Sequence, residues 1–178
     1  SQVERCNQIL KRLTLNPIEE DEFIDEDISL REYLKEIIFS FKETSNKEFI
    51  FNYDQDSNPK KITKSIELIY GLRNFIGNAY KYSFSKIFIN LKTDNKLSEI
   101  TIEDDGEGYP SDILSKIGEP YLKSPNSKNK EKAGLGLGIF IGKTLLEKNF
   151  ASIICRNSKT RNGAEIIIKW ENKNLFKI

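Results

Sequence analysis

The chain contains no histidine. That excludes Ser-His-Asp and Cys-His catalysis within it, imidazole ligation of a metal, and a phosphohistidine. Cysteine is nearly as scarce. Cys6 and Cys155 cannot build a disulfide framework, which favours a reducing compartment. Long apolar runs are missing: Ile37-Ile38-Phe39 and Ile166-Ile167-Ile168 are far too short to span a bilayer. Nothing at the start reads as a secretory signal. Excess charge of one sign is missing too. Lys+Arg 28 against Asp+Glu 27 leaves +1, so there is no global argument for nucleic acid or an anionic membrane.

What is present suits one folded domain of 178 residues. Hydrophobic residues make up 38%, and 11 Phe with 7 Tyr are too many aromatics for a disordered chain. Val3, Cys6, Ile9, Leu10 and Leu13 fall at helical spacing before Asn16-Pro17. Carboxylates crowd residues 16–27, around an expected short strand at Phe23-Ile24. Ser29 with Glu32 forms a capping box that predicts a helix to about Glu43. A strand is expected at Phe49–Tyr53, a long helix from about Ile62 to Tyr82, and strands at Lys86–Lys92 and Glu99–Glu103. Residues 115–133, rich in lysine and holding Pro120 and Pro125, read as a mobile loop. A helix from about Leu135 to Lys148 follows, then a hairpin of Ser152–Asn157 and Ala164–Trp170. Strands and helices alternate without a strict βαβ rhythm, which favours an α+β fold with a mixed sheet covered by helices.

Three constellations can carry chemistry. In the long helix, Ile62, Ile66, Ile69, Leu72 and Ile76 form an apolar stripe. Asn74, Asn78 and Lys81 form a second stripe roughly opposite. Carboxamide oxygens one turn apart can ligate a hard cation such as Mg²⁺, with a lysine beyond them suited to phosphate. The same residues also suit a plain solvated face. Asp104-Asp105-Gly106-Glu107-Gly108 ends a strand in an acidic pair followed by Gly-x-Gly. A carboxylate there can accept from an exocyclic amine such as adenine N6, or the segment is an ordinary acidic turn. Gly134-Leu135-Gly136-Leu137-Gly138 enters an apolar helix. Backbone N–H groups at that end form an anion site, and a linker would use Gly with Ser rather than strict Gly-Leu alternation. The spacing matches neither a P-loop nor a Rossmann fingerprint.

In order and separation, Asn74-x-x-x-Asn78-Ala79, Asp104-x-Gly106-x-Gly108, Glu119-Pro120-Tyr121 and Gly134-x-Gly136-x-Gly138 resemble the N, G1, F and G2 boxes of the sensor histidine kinase ATP-binding domain. That domain belongs to the superfamily shared with DNA gyrase, Hsp90 and MutL. Gly163-Ala164 is similar to its final glycine box, and the match runs from about residue 24 to 170. The resemblance implies a two-layer α/β sandwich of the Bergerat type, with a mostly antiparallel mixed sheet and ATP under a mobile lid. It implies that Asn78 ligates Mg²⁺, Asn74 supports phosphate or metal binding, Lys81 contacts phosphate, and Tyr82 lies near adenine or ribose. Asp104 would accept from adenine N6, Gly106 and Gly108 would admit the base, and Gly134, Leu135, Gly136, Leu137 and Gly138 would form the lid hinge.

Two positions depart from the pattern. Tyr70 stands four residues before Asn74, where gyrase-like ATPases carry a catalytic Glu, so ATP hydrolysis by this domain alone is expected to be negligible. Glu119-Pro120-Tyr121-Leu122 stands where the F box has two Phe. Residues 1–16 resemble the end of the second dimerisation helix, and Glu4–Leu10 is similar to the RegB/PrrB redox-responsive branch. Residues 17–178 would then form the catalytic domain. By this resemblance the chain is the cytoplasmic part of a longer, inner-membrane-bound, homodimeric kinase. Its partners are its own phosphoacceptor domain and a response regulator receiver domain, with no nucleic acid. A gyrase/MutL-type ATPase module and an anti-sigma-like Ser/Thr kinase are the alternatives.

Overall fold

The computed structural model describes residues 27–44, 46–55, 60–63, 65–122 and 136–176. The expected helix over 2–14, the strand at Phe23-Ile24, the division at residue 16 and the lysine-rich run 123–133 lie outside the described residues. Strand β1 (Asp27–Ser29) runs directly into helix α1 (Leu30–Lys42). The expected capping box forms. Ser29 Oγ accepts from the Glu32 amide at 3.1 Å, and the Glu32 carboxylate accepts from the Ser29 amide at 3.1 Å. One face of α1 buries Leu30, Tyr33, Leu34, Ile37 and Ile38, the i, i+3, i+4, i+7 set.

The long helix starts later than its periodicity suggests. Helix α2 spans Ile66–Tyr82, and Ser65 caps it by accepting from the Leu68 amide at 3.1 Å. Ile62 belongs instead to strand β3 (Lys61–Thr63), which pairs antiparallel with β1 and bridges to Phe176. Ile62 is wholly buried there, while Ile66, placed on the expected stripe, is 60% exposed. The buried face of α2 is Leu68, Ile69, Leu72, Phe75, Ile76 and Ala79. Apolar spacing of four residues cannot tell a strand end from a helix start when the cap falls between them.

The main sheet has the order β2-β4-β5-β7-β6. Strand β2 (Glu48–Tyr53) lies parallel to β4 (Lys86–Thr93), and every other pair is antiparallel, with β5 (Leu97–Asp104), β6 (Ser152–Asn157) and β7 (Ala164–Glu171). Alternation decides which face the helices cover. Ile87, Ile89 and Leu91 of β4, Ile100 and Ile102 of β5, and Ile166, Ile168 and Trp170 of β7 are buried together with the helices' apolar faces. Helix α3 (Gly138–Lys148) crosses α2 closely. A Cβ on Gly71 would stand 2.5 Å from Leu146 Cγ, and one on Gly142 would stand 2.9 Å from the Phe75 ring. Each helix therefore notches the other's bulky residue, at a separation that alanine would not allow. A last turn, α4 (Asn172–Leu175), pins the β4–β5 turn: the Asn172 side chain accepts from Ser98 Oγ and donates to the Asp94 carbonyl, both at 2.7 Å.

Two residues beyond the end of α3 stands Phe150, whose φ of 64° lies in the left-handed region. Its ring is 71% exposed, so little burial is lost by removing it. Phe150→Gly is expected to raise stability by about 0.5–1 kcal/mol, since glycine adopts this backbone without the side-chain penalty but loses more entropy on folding. A lower urea midpoint for the variant would refute this.

Candidate functional site

The alternation that buries Ile100 and Ile102 also carries Asp104, at the end of β5, onto the helix-covered face. Asp104 is 3% exposed. Its Oδ1 accepts from the Gly106 amide at 2.9 Å and the Ala164 amide at 3.2 Å. Oδ2 accepts from no described residue. One carboxylate oxygen thus builds the turn, and the other is uncommitted among the described residues. The neighbouring glycines make this geometry possible. A Cβ on Gly163 would lie 2.0 Å from the Asp104 carbonyl oxygen, and one on Gly106 would lie 2.3 Å from the Tyr82 carbonyl oxygen. The loop after β5 is therefore pressed against the last turn of α2.

Burial pushes the Asp104 carboxyl above the usual carboxylate range, against the lowering effect of its two backbone hydrogen bonds. A raised folded-state value means that the folded chain holds this proton more tightly than the unfolded chain. Its contribution to stability is full at low pH and is lost as pH rises through the folded value. Asp104→Asn keeps the Oδ1 acceptor and removes the buried charge. The variant is expected to melt above the wild type at neutral pH, the advantage shrinking towards zero near about pH 3. An advantage independent of pH would show that the charge is not its source.

The adjacent Asp105 behaves oppositely. Burial would raise its carboxyl, but hydrogen bonds from Ser85 and Phe84 outweigh burial and hold it low. Its oxygens accept from the Phe84 amide at 2.8 Å and Ser85 Oγ at 2.7 Å, fixing the turn between α2 and β4. Lys47 secures the same end of the helix: its ammonium donates to the Tyr80 carbonyl and, at 2.7 Å, to the Ser83 carbonyl. No sequence pattern marks Lys47, a single lysine in a turn.

Along α2, Asn74, Asn78 and Tyr82 succeed one another at intervals of one turn, with Lys81 beside Tyr82. Asn74 is partly committed, since its Nδ2 donates to the Tyr70 carbonyl at 2.7 Å. The Asn78 carboxamide makes no hydrogen bond to a described residue. Its Oδ1 lies 3.6 Å from where a Cβ on Gly138 would stand, so it faces the start of α3. The Lys81 ammonium lies 5.4 Å from the centre of the Tyr82 ring.

Helix α3 begins at Gly138 rather than Leu135, with no side-chain cap on its first amides. Gly134 and Leu135 lie outside the described residues. Gly136 has φ 70°, and a Cβ there would lie 2.3 Å from the Leu122 carbonyl oxygen, which ties the end of the expected F box to the residues just before α3. Leu137 is buried. Gly108, at φ 75°, approaches Asn157, whose side chain accepts from the Tyr109 amide at 2.6 Å and donates to the Tyr109 carbonyl at 3.0 Å. Asn157 is not legible from sequence, because it reads as the polar end of an alternating strand.

These contacts form one chain: Asp104 to Gly106, Gly106 to Tyr82, and Tyr82 back one turn to Asn78, which faces Gly138. Among the described residues no group of three or more His, Cys, Asp or Glu side chains could hold a metal, so any cation here would rely on a carboxamide and on its ligand's own oxygens.

The architecture defines a two-layer α/β sandwich of the Bergerat type, as expected. The chain belongs to the family of histidine kinase-, DNA gyrase B-, and HSP90-like ATPases, which it matches over residues 63–174. It is similar to the sensor histidine kinase RegB of Cereibacter sphaeroides, with 36% identity over 108 residues, 58% of this chain and 23% of that protein. It is also similar to the heme sensor protein HssS of Staphylococcus saprophyticus, with 30% identity over 76% of this chain and 29% of that protein. The chain thus spans about a quarter of the length of the curated relatives it matches. Its fold matches that of the mycobacterial sensor histidine kinase MprB, with a TM-score of 0.67 at 21% identity, covering 82% of this chain and 97% of that one. No helix among the described residues is long and apolar enough to cross a membrane.

Proposed function

We propose that this chain binds Mg·ATP and presents the γ-phosphoryl to a histidine on a separate phosphoacceptor domain, as the catalytic domain of a two-component sensor histidine kinase. The observation that carries this reading is Asp104: a buried carboxylate with one oxygen committed to the fold and the other open. An acceptor-only group in that state selects a ligand with an amine, such as adenine N6.

Lys81, Asn78 and Asn74, running back along α2 from the base end, would meet the phosphates, and Tyr82 would flank the base or ribose. The uncapped amides at the start of α3 add donors without a mobile side chain. The residues fit Mg²⁺ held through Asn78, a neutral ligand that adds no negative charge beside the triphosphate. When bound, that ion would offset phosphate charge as the phosphoryl group departs. Gly106 and Gly108 would let the backbone approach the base, and Gly134, Leu135, Gly136, Leu137 and Gly138 would form the hinge of the lid. Because the chain has no histidine, the nucleophile comes from elsewhere, and the chain's part is binding and orientation. Tyr70 offers a phenol where hydrolysis needs a carboxylate base, which favours transfer to a protein over release to water. In this reading the partners are the kinase's own dimerisation domain and a receiver domain, within a membrane-bound homodimer.

Calorimetric titration with Mg·ATP tests binding. Incubation with γ-labelled ATP and the separately produced phosphoacceptor domain tests transfer, with an acid-labile label on that domain as the expected result. For Asp104→Asn we expect a loss of ATP affinity of about 1–3 kcal/mol, with GTP affected less. Equal losses for both nucleotides would contradict base reading by this residue.

A further inference from the structure

The loop that trails β5, from Gly106 to Tyr109, is not held by a backbone ladder. Among the described residues, none of its amides or carbonyls bonds to another backbone group. Side chains hold it instead, one at each end. At the start, Asp104 Oδ1 accepts from the Gly106 amide at 2.9 Å. At the far end, Asn157 of β6 accepts from the Tyr109 amide at 2.6 Å and donates to the Tyr109 carbonyl at 3.0 Å. One carboxamide thus offers an acceptor and a donor side by side, as a neighbouring strand's peptide groups would. Nothing local can replace it. Pro110 follows with no amide of its own, and its carbonyl already accepts from the Ile113 amide at 3.2 Å.

Gly108 makes this close approach possible. It sits at φ 75°, and a Cβ there would lie 2.7 Å from Asn157 Oδ1. The Tyr109 hydroxyl is closed to solvent, so the ring anchors the residue. A buried ring alone does not set the direction of the neighbouring peptide groups; the carboxamide does. A loop tied at both ends is ordered before a ligand arrives. Tied at one end only, it samples other shapes, and a ligand that needs one shape binds in proportion to its population.

Resting on the ATP reading above, in which Gly106 and Gly108 admit the base, we propose that Asn157 is a positioning residue: it does not touch the nucleotide but holds the base loop in its binding shape in advance. Calorimetry with Mg·ATP and Mg·ADP on wild type, Asn157→Ala and Asn157→Asp, each well below its melting temperature, tests this. Asn157→Ala should weaken ATP about 5- to 30-fold, the range for losing two neutral hydrogen bonds. ADP should lose the same factor, because the clamp lies at the base end. Asn157→Asp keeps the shape but sets an oxygen against the Tyr109 carbonyl, so it should lose affinity for both nucleotides as well. Amide nitrogen relaxation at Glu107 and Gly108 should report a rigid loop in the unliganded wild type, a mobile one in unliganded Asn157→Ala, and a rigid one again at saturating ATP. A merely structural role would lower the melting temperature and leave the affinity of the folded protein alone. ATP affinity of Asn157→Ala within about twofold of wild type, or wild-type affinity in Asn157→Asp, overturns the proposal. So does a loss seen for ATP and absent for ADP, or a loop as rigid in unliganded Asn157→Ala as in the wild type. If the wild type binds no nucleotide, the ATP reading itself fails, a result distinct from an Asn157→Ala variant that matches a binding wild type.

Discussion

Asn78→Asp is expected to remove Mg·ATP binding, with affinity falling at least about 100-fold. The reason is charge rather than shape. Asn78 makes no hydrogen bond to a described residue, so exchanging its amide nitrogen for oxygen breaks nothing in the fold. The new carboxylate stands on a partly buried face, close to the start of α3 and to where the phosphates are proposed to lie. Near a protein surface, two like charges about 4 Å apart repel by roughly 4 kcal/mol, far more than the net value of one neutral hydrogen bond from a carboxamide. A carboxylate does attract Mg²⁺, but the Mg·ATP complex is itself an anion. The unliganded variant should melt close to the wild type, slightly lower because a negative charge in the later turns of α2 opposes the helix dipole. Unchanged affinity by calorimetry would take Asn78 out of the site.

Gly163→Ala is expected to have the largest structural effect of any single added methyl. Its Cβ would lie 2.0 Å from the Asp104 carbonyl oxygen and 2.4 Å from Asp104 Oδ1. Both are fixed atoms: the first belongs to a strand end, and the second holds two backbone amides. The Gly163 carbonyl itself accepts from the Ser158 amide at 2.8 Å, so the turn cannot swing away at no cost. Overpacking of this kind costs about 3 kcal/mol, or roughly 6–12 °C in melting temperature for a domain of this size. Nucleotide affinity should fall with it, because Asp104 must move. A variant that melts and binds like the wild type would mean that the end of β5 is far more pliable than its hydrogen bonds imply.

Some elements are legible because one local rule decides them. The capping box at Ser29 and Glu32 places the start of α1, and strict alternation places β6 within its observed limits. Other boundaries shift where two local patterns overlap. Ile62 sits one helical turn before Ile66, yet a cap at Ser65 divides strand from helix between them. The Gly-Leu alternation suggests a helix from Leu135, but Gly136 lies at φ 70°, outside helical backbone, and the helix begins at Gly138. The sheet order β2-β4-β5-β7-β6 and the small β1–β3 pair depend on contacts between distant segments, and no periodicity reports those.

The chain by itself determined the inventory: no histidine, two asparagines and a lysine on one helix, an acidic strand end, and glycines at set intervals. These follow from composition and spacing, which are local properties. Only the tertiary structure decided that the strand end lies under the helices, that the Gly106 turn rests on the last turn of α2, and that Asn157 locks Tyr109 with its hydroxyl unpaired among the described residues. Burial and hydrogen-bond partnership depend on which segments pack together. A carboxylate that is an ordinary turn residue in sequence becomes a base-reading candidate only when the fold removes its water and spends one of its two oxygens.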